Sequence, residues 1–182
     1  TTGKRVNRAS DDPGAIAAIE PMKAQVAGIH AKLTALDERD AYYGAREGAM
    51  SVVSDSLSEL KGLVVVAGNR GAMSTEERGA LQLSAAGILQ GIDFIANTAT
   101  FRGQQILTGL NSKGLGLGAL LGDANLATGD LEAADAAITS AIESNAESRG
   151  AIGAAIQSND SMRNSLMDEL ESVTGELSRV QD

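Results

Sequence analysis

Between residues 130 and 182 the seam positions repeat at alternating steps of four and three. Ile138, Ile142, Asn145, Arg149, Ile152, Ile156, Asn159, Arg163, Leu166, Leu170, Val173, Leu177 and Val180 fall on one helical stripe. A 4-3 spacing held over that length predicts a long helix that buries its stripe against partner helices. A second seam runs through Met22, Val26, Ile29, Leu33, Leu36, Tyr43, Met50, Val53, Leu57, Leu60, Val64 and Ala67, with Asp40 and Glu47 at seam positions between them. Consecutive three-residue steps around Met50 form a stammer, which overwinds a coil locally. At a rise of about 1.5 Å per residue, the helix from 22 to 68 is roughly 70 Å long.

Turn and cap signals divide the chain. Residues 1–10 are basic and turn-like. Asp12 is placed to cap a helix over 12–20, and Pro13 suits its first position because the missing N–H has no intrahelical partner there. Pro21 predicts a break or kink at Ile19–Glu20, since it removes a donor and crowds the preceding turn. Gly68-Asn69-Arg70-Gly71 ends the 22–68 helix with residues that tolerate positive φ. Ser74 followed by Glu77 reads as a capping box for a helix over 74–99, whose apolar set is Leu81, Leu83, Ile88, Leu89, Ile92 and Ile95. Phe101-Arg102-Gly103 closes it. Residues 108–129 hold six glycines and little charge, and read as an irregular connector with Leu115, Leu117, Leu120 and Leu121 tucked onto the end of the bundle. Their spacing is no nucleotide fingerprint, because no strand precedes it and no helix opens at the right place. Asp130 or Thr128 caps the last helix, 130–181, and Glu132 sits at its positive end.

Composition narrows the function. Aromatic residues make up 2% of the 182 residues and there is no Trp, so the core relies on aliphatic side chains and Ala, as thin helical bundles do. A net charge of −9 argues against nucleic acid or an anionic membrane as partner, because both need clustered Lys and Arg. Without Cys there is no disulfide framework, thiolate nucleophile or Cys-based metal site. No signal-like start and no apolar run near 18 residues is present. The start and the last seam both look abrupt, so the reading is of a core fragment of a longer protein.

No constellation for catalysis, cofactor or metal emerges. His30, the single histidine, has no Cys, Asp or Glu at ligand spacing on its face. Asp37, Glu38 and Asp40 read as a solvated helix face, and Tyr42 and Tyr43 as packing residues. The polar seam residues carry more information. If the first and last long helices pack antiparallel with Ala67 opposite Leu131, Arg149 comes level with Glu47, and Asn159 with Asp40. A partly buried Arg149–Glu47 pair would then fix register, and its rupture would leave a charge uncompensated. The other reading is that Arg149 snorkels to solvent.

Thr2-Gly3-Lys4-Arg5-Val6-Asn7, Ser10-Asp11-Asp12-Pro13 and Ala15-Ile16-Ala17 resemble the N-terminal region of bacterial flagellin. Ile92-Asp93, Ile95-Ala96-Asn97-Thr98, Thr100-Phe101-Arg102-Gly103 and Ile106-Leu107 are similar to that family's end-of-helix segment, and Arg149-Gly150-Ala151-Ile152-Gly153-Ala154 to its C-terminal region. The resemblance implies a filament subunit that forms a homopolymer with other flagellin subunits in the full-length protein. It also implies an export chaperone, export without a cleaved signal peptide, and an extracellular place on the flagellum. The family's terminal polymerisation helices are absent, so the fragment is expected to be largely monomeric. The family also carries a β-hairpin and outer domains where this chain has about twenty Gly-rich residues (108–129). The surface that flagellin-sensing Toll-like receptors read corresponds to Glu59, Leu60, Lys61, Leu63, Gln90 and Gly91. Glu59 replaces the typical arginine and Gln90-Gly91 the typical acidic residue, which implies weak receptor recognition.

The sequence therefore reads as one domain over 1–182: an all-α, elongated antiparallel three-helix bundle or coiled-coil rod with a Gly-rich connector. Its expected role is structural and non-enzymatic, as a flagellar filament subunit in motility. A hook–filament junction protein shares the start-region pattern, and a surface adhesin or ligand-binding module on the same scaffold is the alternative from another class.

Overall fold

The computed structural model describes residues 13–181. The fold class is all-α. Helix α1 spans Pro13–Ala67, α2 Thr75–Thr98 and α3 Leu131–Gln181; the strands β1, Thr100–Phe101, and β2, Gln104–Gln105, are two residues each. Asp12, with its expected capping role, and the basic start-region motifs lie outside the described residues.

The structure departs from the sequence reading at Pro21 and in how α1 ends, although α1 does stop at Ala67 as expected. Pro21 does not divide α1, which runs unbroken through it. Proline there removes only the one bond to the Ala17 carbonyl. Packing offsets that loss, because Ile19 is buried at 2% exposure and most helical stability comes from a buried face. At the other end, none of residues 68–71 takes positive φ. The chain tightens instead: the Gly68 amide donates to the Val64 and Val65 carbonyls, and a 3-10 turn follows at Arg70–Ala72.

Local signals set the remaining ends. The Ser74 hydroxyl accepts from the Glu77 amide at 3.2 Å, and the Glu77 carboxylate accepts from the Ser74 amide at 2.7 Å, so two orphan donors of α2 are satisfied. The Asp130 carboxylate accepts from the Glu132 and Ala133 amides and so caps α3; Thr128 does not. Between β1 and β2, Arg102 and Gly103 both have positive φ, 51° and 81°. Two such residues in succession make the tight turn whose twist suits a hairpin, and Gly103 tolerates it without strain.

By their contacts the described residues divide into two compact units, where the sequence reading groups 1–182 as one domain. The first joins α1 up to residue 41 to α3 from residue 154. Its core holds Ile19, Ile29, Leu36 and Val173, with Asn159 among them. Gln25 donates to Glu169, and Asn159 to Asp40, so the two segments run antiparallel. The second, residues 42–153, holds the rest of α1 and α3, all of α2, the hairpin and the connector. Met50, Val53, Leu57, Leu60, Ala85, Leu89, Ile92, Ala96 and Ile138 are buried in it. Leu83, assigned to the α2 core from the sequence, is 76% exposed. It lies two residues from Ala85, about 200° around the helix, on the face away from the 85–89–92–96 stripe.

The connector is folded rather than slack. Leu110, Leu115, Leu117, Leu120, Ala124 and Leu126 are buried, whereas Leu121, expected inside, is 60% exposed. A 3-10 turn at Leu117–Leu121 has three residues per turn, so Leu117 and Leu120 share the inner face and Leu121 points away. Gln82 of α2 fastens both sides: its amide donates to the Leu120 carbonyl at 2.9 Å and its oxygen accepts from the Leu126 amide at 2.8 Å. Asp93 accepts from the Ser112 amide and hydroxyl. At Gly114 a Cβ would lie 2.0 Å from the Gly109 carbonyl oxygen, so the loop closes only around glycine. Leu120→Ala is expected to cost about 2–5 kcal/mol in urea unfolding followed by circular dichroism. Leu121→Ala should stay within about 0.5 kcal/mol of wild type. Equal losses would mean that the connector is not part of the core.

Candidate functional site

The side chains that depart from ordinary core chemistry are the polar residues of the α1–α3 seams. Helical spacing turns Asn159 and Arg163 of the first unit toward α1, one turn apart. The Asn159 amide donates to the Asp40 carboxylate at 2.8 Å, and Arg163 bridges Asp40, Asp37 at 2.9 Å and Asp160 at 2.9 Å. Asn159 is 4% exposed, so its hydrogen bond is made where water cannot compete. The Asn159 amide, and then the Arg163 guanidinium, hold the Asp40 carboxyl below its ordinary value of 3.8. Asp40 and Asp37 in turn hold the Arg163 guanidinium more firmly protonated than usual.

The second unit repeats the arrangement with different partners. Asn145, 1% exposed, donates to the Met50 carbonyl at 3.2 Å, while its own Oδ1 is buried without a hydrogen-bond partner. Arg149 donates to Glu47 Oε1 from Nε at 2.9 Å and from Nη2 at 2.6 Å. That double contact raises the Arg149 pKa, first through the hydrogen bonds and then through the charge of Glu47. Both side chains are about one-third exposed, at 35% and 37%, so solvent screens the pair and its net contribution to stability is small. Lys61 reaches across from α1 to Asp135 at 2.6 Å and to the Thr139 hydroxyl at 2.7 Å.

The residues tied to receptor reading by resemblance are divided between two helices. Glu59 is exposed and Leu63 half-buried on α1; Gln90 is exposed and Gly91 half-buried on α2. Leu60 leaves this set, because it is fully buried in the core. Lys61 is committed to Asp135 and Thr139. Among the described residues, no group of three or more His, Cys, Asp or Glu side chains is placed to hold a metal ion. His30 is exposed. Tyr42 packs edge-on against Tyr43 and against Phe101 of the hairpin, ring centres 5.5 and 5.8 Å away. Sequence reasoning missed that aromatic cluster and the hairpin that builds it. The available signal was Gly103 between two β-capable pairs, Thr100-Phe101 and Gln104-Gln105.

The Asp40 network makes stability depend on acid. A carboxylate whose folded-state pKa is depressed contributes stability that is fully present above its unfolded value and lost as pH falls through the lowered one. Glu77, held down by its bonds with Ser74, adds in the same direction. The melting temperature is expected to fall between about pH 5 and pH 3. Asp40→Asn, which cannot titrate, should start lower at neutral pH and fall less over that range. Parallel pH profiles for the two proteins would contradict this account.

Residues 1–112 match the family described as the bacterial flagellin N-terminal helical region. Over 109 residues the chain is 30% identical to the flagellar filament 30.7 kDa core protein of Treponema maltophilum, covering 60% of this chain and 38% of that protein. It is 29% identical over 110 residues to the flagellin of Bacillus subtilis, covering 60% and 36%. With polar flagellin F of Vibrio parahaemolyticus it shares 28% identity over 125 residues, covering 68% and 33%. The chain thus spans less than two-fifths of the length of these relatives. Its helices, the capped start of α2 and the match over residues 1–112 agree: the chain belongs to the bacterial flagellin N-terminal helical region family.

Proposed function

We propose that this chain is part of a structural subunit of the bacterial flagellar filament, working by helix packing and self-assembly rather than by catalysis. The match to the flagellin helical region over residues 1–112 carries this reading. The relatives' own descriptions as flagellin and flagellar filament core protein support it. On this reading the protein is extracellular, leaves the cell through the flagellar export route with the help of an export chaperone and without a cleaved leader, and has other copies of itself as its main partner. Electron microscopy of the full-length protein after in-vitro polymerisation tests it. Continuous filaments are the expected result; short caps or isolated monomers would favour a junction protein instead.

Within the subunit, we assign Arg149 and Glu47 the role of fixing the register of α1 against α3. Support comes from the double hydrogen bond at 2.6–2.9 Å, which a shift of one turn would break. Although the intact pair adds little, loss of Arg149 leaves the Glu47 carboxylate, whose Oε2 is already buried without a partner, uncompensated. Arg149→Met should therefore lower the melting temperature and Arg149→Lys, with its single point of attachment, should restore only part of it. An unchanged melting temperature in Arg149→Met removes the role.

Recognition by flagellin-sensing Toll-like receptors should be weak. The exposed carboxylate of Glu59 stands where the resemblance places a cation, and like charges at a contact repel and lose hydration. A cell reporter exposed to the purified protein is expected to stay near background, and a potent response would refute this.

A further inference from the structure

The first unit carries two surface features of opposite character. One is an open groove of about 560 Å³ between α1 and α3. Its floor is apolar, made by Ala35, Leu36, Met162 and Leu166, and Lys32 and Arg39 stand on its rim. Met162 leaves 48% of its surface exposed there. Lys32 and Arg39 make no ion pair among the described residues, although Lys23 and Arg163 of the same unit are paired with carboxylates. Cations that no described residue pairs with, around an apolar floor in a chain of net charge −9, are suited to an acidic apolar partner.

The same unit presents such a surface elsewhere. Met167, Leu170, Glu171 and Thr174 line a second shallow depression on α3, with Asp168 beside it. Met167 is 52% exposed, and neither Asp168 nor Glu171 forms an ion pair among the described residues. Leu166 of the first groove and Glu171 of the second are five positions apart, about 140° around the helix. The two features therefore lie on different sides of α3, and one copy can engage both at once.

We propose that the groove rimmed by Lys32 and Arg39 receives the α3 face carrying Met167, Leu170, Glu171 and Thr174 from a second copy of this chain. Burial of the exposed methionines drives the contact, and the pairing of Lys32 and Arg39 with Asp168 and Glu171 orients it. Because the two patches differ, the contact is heterologous: each copy offers an unused groove at one side and an unused acidic face at the other. Such a contact propagates into an open string of copies unless its rotation closes. This deepens the filament reading by naming a surface and its partner, and it stands or falls by a separate measurement.

The chain has no Cys, so single cysteines are unambiguous reporters. Ala35→Cys and Thr174→Cys proteins are mixed under mild oxidation by oxidised glutathione, each first checked for native helix content and melting temperature. The mixed disulfide should form on the order of tenfold faster than either homodimer at low salt, with the advantage shrinking at about 1 M salt. Adding Lys32→Glu and Arg39→Glu to the Ala35→Cys protein should abolish the preference. Adding Asp168→Lys and Glu171→Lys to its Thr174→Cys partner should bring it back. Equal rates for all three pairings, or failure of the charge swap to restore the preference in folded variants, overturns the proposal. A preserved preference in a protein that forms no filaments would sink the filament reading and leave the contact standing.

Discussion

A polar side chain set into a helix seam must find its partner on the facing helix or lose its hydration uncompensated. The rest of this structure is arranged around that constraint. Asn159 meets Asp40, Arg163 meets Asp37 and Asp40, Asn145 meets the Met50 carbonyl, and Arg149 meets Glu47. Leucine or valine stripes tolerate sliding by a turn, because one aliphatic contact resembles the next. A hydrogen bond between named atoms does not tolerate it. The seams of both units are therefore narrow in apolar area but restrictive in alignment, which suits a chain with few aromatic rings.

The connector follows a second version of the same rule. A loop of this length leaves many backbone groups to satisfy. Gln82 and Asp93 meet several of them from α2, and leucines from the connector cover the apolar surface beneath. The outcome is a closed end to the second unit, not a slack tether. In the relatives most of the chain lies outside the matched region, so the short, clamped connector is a feature to be understood on its own terms.

Charge distributes the work between inside and outside. Arg149 and Arg163 are matched to carboxylates, whereas Lys32 and Arg39 on the rim of the first-unit groove and Asp168 and Glu171 on α3 form no ion pair among the described residues.

The 4-3 spacing marked α3, and α1 from residue 22 onward, as long helices, since burial of a continuous stripe leaves little choice, and Ser74 with Glu77 determined where α2 begins. Asp40, Glu47, Asn145, Arg149, Asn159 and Arg163 were recognisable as seam residues for the same reason. Short-range signals misled where packing had the final word. Pro21 sits inside an unbroken helix whose Ile19 is buried, and Leu83 and Leu121 face water because their helical phase, not their hydrophobicity, decides their side. Which atoms Asn145 and Arg163 would bond, how Gln82 would hold the connector, and that an apolar groove would form beside Lys32 and Arg39 depend on residues far apart in sequence. Those pairings exist only once the backbone brings both helices together, and no local pattern encodes them.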